Sequence, residues 1–202
     1  MVLVNMKKGE RTRERIIRQA APLFNQRGYE GSSLNEIMAA TELEKGGIYR
    51  HFSSKQELAA EAFDYAWAEA VKARRHDLES VENSVDKLKR YVANFVERRG
   101  TVPGGCPLLN TAMDSDDGNP VLRTRARRAL QNWQSFLGSI VEAGIKNGEI
   151  QREVSKTRLA NLIIATLEGA VMIGRLEQNV DALREAQMHL NDYLETNVRV
   201  PK

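Results

Sequence analysis

Residues 43–58, with the sequence LEKGGIYRHFSSKQEL, place cationic and aromatic side chains around two adjacent glycines. The cationic and aromatic side chains that can donate hydrogen bonds to an anion are Lys45, Tyr49, Arg50, His51 and Lys55. Groups of this kind bind phosphates and the edges of nucleobases. Gly46 and Gly47 have no side chain, so the backbone there can approach a large anion closely. The segment therefore predicts a contact with nucleic acid.

Positive charge is concentrated at the start of the chain. The 202 residues carry a formal net charge of +3, and the first 54 residues account for all of it, with nine basic and six acidic side chains. The rest of the chain is neutral, because 21 basic residues balance 21 acidic ones. A basic segment on a neutral body indicates an anionic partner, and nucleic acid is the first candidate.

Two helices are predicted before the glycine pair. Apolar residues recur at helical spacing over residues 10–27, and Gly28 is suited to the left-handed position that follows a last helical turn. A second helix is expected over residues 34–40. Ser33 and Glu36 have the capping-box spacing that begins such a helix.

A third helix is predicted from about Lys45 to His51, after a short break. Ile48 and Phe52 are four residues apart and would share its buried side, which leaves the polar residues of the segment facing outward. Three short helices, the last two joined by a tight turn, fit a helix-turn-helix module. We assign this module to residues 1–54.

The remaining residues, 55–202, are also predicted to be helical throughout. Helices are expected over residues 55–75, 84–99, 108–113, 120–147, 155–178 and 181–197. No segment alternates with a two-residue period for long enough to predict a strand. The fold class is therefore all-α with about nine helices, in which a larger C-terminal helical domain follows the three-helix module.

Composition excludes several other classes of protein. Cys106 is the only cysteine, so no internal disulfide framework is expected. The N-terminus does not have the pattern of a secretory signal, and Asn161, Glu168 and Arg175 interrupt the most apolar stretch, Leu159–Leu176. We expect a cytoplasmic protein with no membrane partner, no metal and no cofactor.

The run from Leu43 to Leu58 resembles the DNA-binding domain of TetR-family transcriptional regulators, and the resemblance covers roughly residues 10–58. It implies that phosphates are bound by Ser33, Tyr49, His51 and Lys55. Lys45 and Arg50 are the candidates for base contacts, and Gly46 and Gly47 allow close approach. The resemblance also implies that the larger domain (55–202) binds a small effector and that the last two helices form a homodimer on a palindromic DNA operator.

Three residues depart from the family pattern. The family often has glycine where Glu42 stands, so the turn is expected to be either strained or different in shape. It often has serine or threonine where Glu44 stands, and glutamate is a poor cap for the third helix. It often has a small hydroxyl residue or alanine where Gly47 stands, and glycine offers no side chain to read a base. These departures bear on which DNA sequence is bound.

Candidates for effector contacts are large, adaptable or aromatic side chains in the larger domain. They are Tyr91, Phe95, Cys106, Met113, Trp133, Phe136 and Met172. Each is also compatible with an ordinary place in the core. Cys106 lies just before a short predicted helix, whose dipole can lower the pKa of a thiol, so sensing of oxidants or electrophiles is an alternative to simple burial.

The sequence favours a homodimeric repressor that is released from DNA by a small molecule. A regulator that senses oxidants through Cys106 is a variant of this hypothesis, and a non-enzymatic helical interaction protein is an alternative. An enzyme is disfavoured because His51, His76 and His189 fall on three different predicted helices and no nucleophile motif or phosphate loop accompanies them.

Overall fold

In the computed structural model, which describes residues 8–98, 100–115 and 118–201, the chain is helical. The described residues form nine α-helices: α1 (Lys8–Arg27), α2 (Leu34–Thr41), α3 (Lys45–Tyr49), α4 (Lys55–Arg74), α5 (Ser84–Glu97), α6 (Pro107–Asp114), α7 (Pro120–Lys146), α8 (Lys156–Leu176) and α9 (Asp181–Tyr193). The β-structure in this part of the chain is one isolated antiparallel bridge between Ile150 and Arg199. The prediction of an all-α fold is confirmed.

Some helix ends differ from the prediction. The helix expected over 155–178 ends at Leu176, because Gln178 has a positive φ of 55° and the N–H of Asn179 turns back to the carbonyl of Gly174 at 3.1 Å. The helix expected to reach residue 197 is α-helical only to Tyr193 and continues as a π-helical turn, Leu194–Val198. Arg99, at the predicted end of α5, lies outside the described residues.

A short 3₁₀ turn, Leu78–Ser80, was not predicted. It follows Asp77, whose positive φ of 55° ends the preceding helical run. Leu78 is buried, so the turn places one apolar side chain in the interior. A three-residue element is too short to produce a hydrophobic period, which is why the pattern in the sequence did not reveal it.

The chain divides into two compact units, and the first comprises Met1–Glu69 and Thr101–Arg127. Its principal core is formed by Ile16, Ala20, Ile37, Ile48, Phe52 and Leu58. The predicted burial of Ile48 and Phe52 on one side of the third helix is confirmed. The unit extends beyond residue 54 because Ala62 and Ala66 of α4 pack against Ala21 of α1.

The second compact unit comprises Ala70–Gly100 and Arg128–Lys202. It contains α5, α8, α9 and most of α7, and α9 packs against both α8 and α5. Its most deeply buried apolar residues are Val85, Leu88, Val92, Leu137, Val141, Ala160, Ile163, Leu167, Leu190 and Leu194. Removal of this apolar surface from water is the main source of its stability.

Candidate nucleic-acid interface and a buried charged cluster

The turn between α2 and α3 is built on a left-handed residue. Glu42 has φ 54° and ψ 34°, and its N–H donates to the carbonyl of Met38. The N–H of Leu43 donates to the same carbonyl at 3.2 Å. An L-residue with a side chain pays a steric cost in this conformation that glycine avoids. The backbone strain expected in this turn is therefore located at Glu42.

Helix α3 is short and is held from one side only. Ile48 and Phe52 are 1% and 2% exposed and fix it to the core of the first unit. Its N-cap residue, Glu44, makes no side-chain capping hydrogen bond, while its carbonyl accepts the N–H of Gly47 at 2.8 Å. The helix start therefore relies on backbone hydrogen bonds, as expected for a glutamate cap.

The predicted DNA contacts surround this anchored helix on its open side. Exposed positions are Ser33, Lys45, Gly46, Tyr49 and Arg50, and half-buried ones are Gly47, His51 and Lys55. A Cβ atom added at Gly46 would meet nothing within 4 Å. Tyr49 is 37% exposed, and the Lys45 ammonium lies 5.9 Å from the centroid of its ring. A duplex therefore has access to this side of α3.

Lys55 has an aromatic neighbour that the sequence reasoning missed. Its ammonium lies 4.3 Å from the centroid of the Tyr29 ring, close enough for a cation–π contact. The Tyr29 ring stacks on Phe24, and the Tyr29 N–H donates to Asp114 at 2.7 Å. Burial raises the pKa of Tyr29 above its ordinary value. The signal available in the sequence was an aromatic residue directly after the helix-ending Gly28.

The predicted capping box at the start of α2 is confirmed. The N–H of Glu36 donates to the Ser33 hydroxyl at 3.2 Å, and the N–H of Ser33 donates to the Glu36 carboxylate at 2.9 Å. Arg27 forms an ion pair with the same carboxylate. This pairing reduces the negative charge beside the position where Ser33 would face a phosphate.

A second carboxylate near the predicted contacts, that of Glu57, is also paired with an arginine of α1. The hydroxyl and the backbone N–H of Ser53 both donate hydrogen bonds to the Glu57 carboxylate. Together with the nearby Arg13, these hydrogen bonds hold the pKa of Glu57 below its usual value. Arg13 also pairs with Glu61 and lies 4.6 Å from the centroid of the Phe52 ring. These contacts join α1 to the junction between α3 and α4.

The loop before α6 is bound to the end of α1 by the side-chain amides of Asn25, which is buried, and Asn110, which is half-buried. Asn25 is 7% exposed and donates to the carbonyl of Pro103 at 2.8 Å. Asn110 donates to the carbonyls of Asn25 and Gly104, both at 2.8 Å. Gly104 has φ 113°, and a Cβ atom there would lie 2.8 Å from the Asn25 side chain. Helix α6 is thus attached to the end of α1 within the first compact unit.

Two of the predicted effector residues lie on or next to α6. Cys106 is the N-cap residue of the helix and is only 4% exposed, so burial restricts the access of oxidants to its thiol. A sensing role for Cys106 stays a prediction. Met113 is 77% exposed, which is contrary to its expected place in the wall of an apolar pocket. Neither residue belongs to the unit that contains the other five candidates.

Four of the predicted effector residues come together as two aromatic pairs in the second unit. The centroids of the Tyr91 and Phe136 rings are 5.7 Å apart, and those of Phe95 and Trp133 are 5.9 Å apart in a stacked arrangement. Tyr91, Phe95 and Trp133 are buried, and Phe136 is half-buried. The sequence placed these residues in one region without predicting which rings would pair.

A buried ion pair that the sequence reasoning missed lies against the second aromatic pair. The guanidinium of Arg74 is 4.3 Å from the Phe95 ring centroid and 4.6 Å from that of Trp133. Arg74 faces Glu168 at 3.9 Å, and the two side chains are 7% and 12% exposed. The available signal was Glu168 itself, a charge in the most apolar stretch of the chain. Buried charges of this kind are characteristic of functional sites and of structural ion pairs alike.

Met172, the last predicted effector residue, lies on an exposed apolar surface instead of in a buried wall. It is 52% exposed, and the other exposed large apolar residues of α8 and α9 are Ile173, Leu176 and Met188. An exposed apolar patch of this kind marks a surface that contacts another molecule. The expected position of Met172 in an enclosed pocket is therefore corrected.

Helix α8 is long and apolar enough, by length and composition alone, to cross a membrane. The same properties are found in core helices of soluble proteins, and Leu159, Ile163 and Leu167 of α8 are buried within the second unit.

Comparisons with known proteins cover both parts of the chain. Residues 16–62 match the family described as bacterial regulatory proteins, tetR family. Residues 84–190 match the family described as tetracyclin repressor-like, C-terminal domain. Together the two matches include the candidate DNA-binding segment and the aromatic cluster of the second unit.

Individual relatives agree with the family matches over nearly their full length. A TetR transcriptional regulator from Chloroflexus aurantiacus J-10-FL is 47% identical, with a TM-score of 0.91 and coverage of 97% of this chain and 100% of that one. A TetR-family regulator from Cytophaga hutchinsonii is 33% identical, with a TM-score of 0.92 and coverage of 98% and 100%. The transcriptional repressor DhaR of Mycobacterium sp. strain GP1 is 28% identical over 173 residues, 85% of this chain and 86% of its own.

Proposed function

The chain belongs to the TetR family of bacterial transcriptional regulators, and from this premise we propose that it is a repressor that binds a palindromic operator as a homodimer and is released by a small molecule. The observation that carries the proposal is the open side of α3, where cationic and aromatic side chains surround a helix anchored by Ile48 and Phe52. Regulators of this family are DNA-binding proteins of the cytoplasm. Family membership favours this function over an enzyme or a simple interaction protein.

The roles of the DNA-contacting residues follow from their positions. Lys45 and Arg50 are exposed at the two ends of α3, where long side chains reach base edges in a major groove. Tyr49, His51, Lys55 and Ser33 contact phosphates, which set the register of the protein on the duplex. Gly47 contributes close approach instead of a side-chain contact.

Dimerisation is assigned to α8 and α9. The exposed apolar residues Met172, Ile173, Leu176 and Met188 support this assignment, because contact with a second copy would remove them from water. A two-fold interface places the same patch of each subunit in contact, and the two α3 helices then face equivalent half-sites of a palindrome.

The effector site is assigned to the region of the two aromatic pairs and the Arg74–Glu168 ion pair. Rings supply apolar contact area, while a buried charge pair gives an effector a specific electrostatic partner. Release from DNA requires only that the effector bind the two states of the repressor with different affinity, and a coupling of about 1–3 kcal/mol is typical.

The test is DNA binding by the purified protein. The operator is first selected from genomic fragments, and binding to it is then measured by fluorescence anisotropy as salt is varied. We expect Lys45→Ala and Arg50→Ala each to weaken binding to the selected operator by about 1–3 kcal/mol and to reduce its discrimination from random duplex.

The matched control is Arg152→Ala, which removes an exposed arginine from the loop between α7 and α8 and should leave operator affinity unchanged. Failure of the wild-type protein to bind any duplex would contradict the proposed function. Unchanged affinity in both α3 variants would contradict the assignment of α3 as the reading helix.

A further inference from the structure

The end of α4 places two consecutive arginines against the two aromatic pairs of the second unit. Arg74 packs on the rings of Phe95 and Trp133. The guanidinium of Arg75 lies 3.7 Å from the centroid of the Phe136 ring, which belongs to the other pair. Each pair of rings therefore has a guanidinium of its own.

The two aromatic pairs are neighbours in one row. Tyr91 and Phe95 are four residues apart on α5 and share a face of that helix. Trp133 and Phe136 are three residues apart on α7 and share a face in the same way. Since each ring of α5 contacts one ring of α7, the four rings form a row between the two helices. We call these four residues the ring row.

A buried amide fixes the backbone that carries both arginines. Asn94 is 2% exposed, and its side chain donates to the carbonyl of Arg74 at 3.2 Å and to that of His76 at 2.7 Å. Asn94 lies on α5 directly before Phe95. The end of α4 is therefore attached to the helix that supplies half of the ring row, and the backbone of Arg75 is held in place on both sides.

The charge of Arg74 is compensated, whereas that of Arg75 is not. Glu168 faces Arg74 at 3.9 Å. Arg75 forms no ion pair within the part of the chain that the structure describes, and the acidic residue nearest to it in sequence, Asp77, pairs with His76 at 2.6 Å instead. The ring row, its two arginines and Glu168 together therefore carry one uncompensated positive charge.

The guanidinium of Arg75 keeps its hydrogen-bond donors for a ligand. These donors lie in the plane of the group, and contact with the Phe136 ring covers only its face. No described residue accepts a hydrogen bond from the Arg75 side chain. Arg75 is exposed and Phe136 is half-buried, so the row meets solvent here. Partial burial lowers the pKa of Arg75, because its charge has lost part of its water, and a carboxylate would replace that water with charge-assisted hydrogen bonds.

We propose that the effector is an organic acid, whose carboxylate binds the guanidinium edge of Arg75 and whose flat apolar body packs on the ring row. The inference rests on the proposed function, because it names the chemical class of the molecule that releases the repressor from DNA. An acid is favoured over an amine because the uncompensated charge is positive, while Glu168 is already engaged by Arg74. A flat body is favoured because aromatic rings make offset-stacked and edge-to-face contacts with other rings.

The experiment compares ligands that share a ring system and differ in charge. The acids are benzoate and naphthoate, the neutral probes are benzamide and naphthamide, and the cation is naphthylmethylammonium, with one ring isomer used throughout. Binding to the whole chain is measured by isothermal titration calorimetry without DNA. We expect the tighter acid to bind about 10- to 100-fold more strongly than its own amide, the range that a hydrogen bond to a charged group provides, and the cation to bind most weakly.

Two single variants locate the acid. Arg75→Gln should lower the affinity for the acid to that for its amide and leave the affinity for the amide unchanged. Arg152→Gln removes an exposed arginine of the same compact unit that also has no ion pair with any described residue, and it should bind acid and amide like the wild type. Thermal unfolding establishes that both variants fold. The acid should also weaken operator binding by the wild type, and it should do so less for Arg75→Gln.

Equal affinity of the wild type for acid and amide, tighter binding of the cation, or no binding of either acid would overturn the inference. A preference for the acid that survives in Arg75→Gln would also overturn it, since another cation would then hold the carboxylate. The proposed function would stand in each case if the wild type still binds its operator. Failure of the wild type to bind any duplex would instead contradict the proposed function, and the acid would be a ligand without this regulatory role.

Discussion

The ammonium of Lys55, at the start of α4, lies 4.3 Å from the centroid of the Tyr29 ring, at the end of α1. The two residues are 26 positions apart in the chain, and the N–H of Tyr29 donates to Asp114 on α6. Through these contacts the position of Lys55, which is predicted to bind a phosphate, depends on α1, α4 and α6.

We expect Tyr29→Leu to weaken DNA binding, because Lys55 loses the ring that holds its ammonium. A cation–π contact at a partly exposed site contributes about 0.5–1 kcal/mol, so the loss should be about two- to fivefold. Tyr29→Phe keeps the ring and should bind like the wild type. In a Lys55→Ala background Tyr29→Leu should have no further effect, and full additivity of the two substitutions would contradict the coupling.

Glu42→Gly should stabilise the protein. Relief of the left-handed conformation should raise the free energy of unfolding by about 1–2 kcal/mol. The greater freedom of glycine in the unfolded chain should lower it by about 0.5–1 kcal/mol, so the net gain is about 0.5–1 kcal/mol. Urea denaturation measures it. Glu30→Gly is the control, since Glu30 is exposed and does not have a positive φ, and it should destabilise. Equal effects of the two substitutions would mean that the strain at Glu42 is negligible.

The Arg74–Glu168 pair should behave as a unit. Glu168→Leu leaves the Arg74 charge buried without this carboxylate, and we expect a cost of about 3–5 kcal/mol in the free energy of unfolding. Arg74→Met/Glu168→Leu should cost less than Glu168→Leu alone. The exposed Glu153→Leu should change stability by less than about 0.5 kcal/mol. A double variant that is less stable than both Glu168→Leu and Arg74→Met would show that the two charges act independently.

Stability in acid should depend on Glu57. Hydrogen bonds from Ser53, with a further contribution from Arg13, place the folded-state pKa of this carboxyl below its ordinary value of 4.5. The stabilising contribution is therefore complete above the ordinary value and is lost as pH falls through the lower folded-state pKa. The wild type should lose more stability on acidification below pH 4.5 than Glu57→Gln does. Parallel pH profiles of the two proteins, measured by thermal unfolding, would refute the assignment.

Much of the first unit follows from local patterns. The capping box of Ser33 and Glu36 involves residues three apart, and the four-residue spacing of Ile48 and Phe52 orients α3 by helical geometry alone. The departure at Glu42 was recognised because the resemblance to the TetR family implies glycine at this position of the turn. These features depend on neighbours along the chain, so the sequence contains all the information needed to predict them.

The pairings between distant residues came only from the tertiary structure. Tyr29 contacts Lys55, and Asn25 hydrogen-bonds Asn110, which lies 85 residues later in the chain. In the second unit, Arg74 at the end of α4 pairs with Glu168 of α8. Helical periodicity shows which face of a helix is apolar, but it leaves open which other helix packs on that face and in what register. The contacts that position Lys55, connect α6 to α1 and place a charge pair among aromatic rings were therefore decided by packing, because only the folded chain brings those side chains within contact distance.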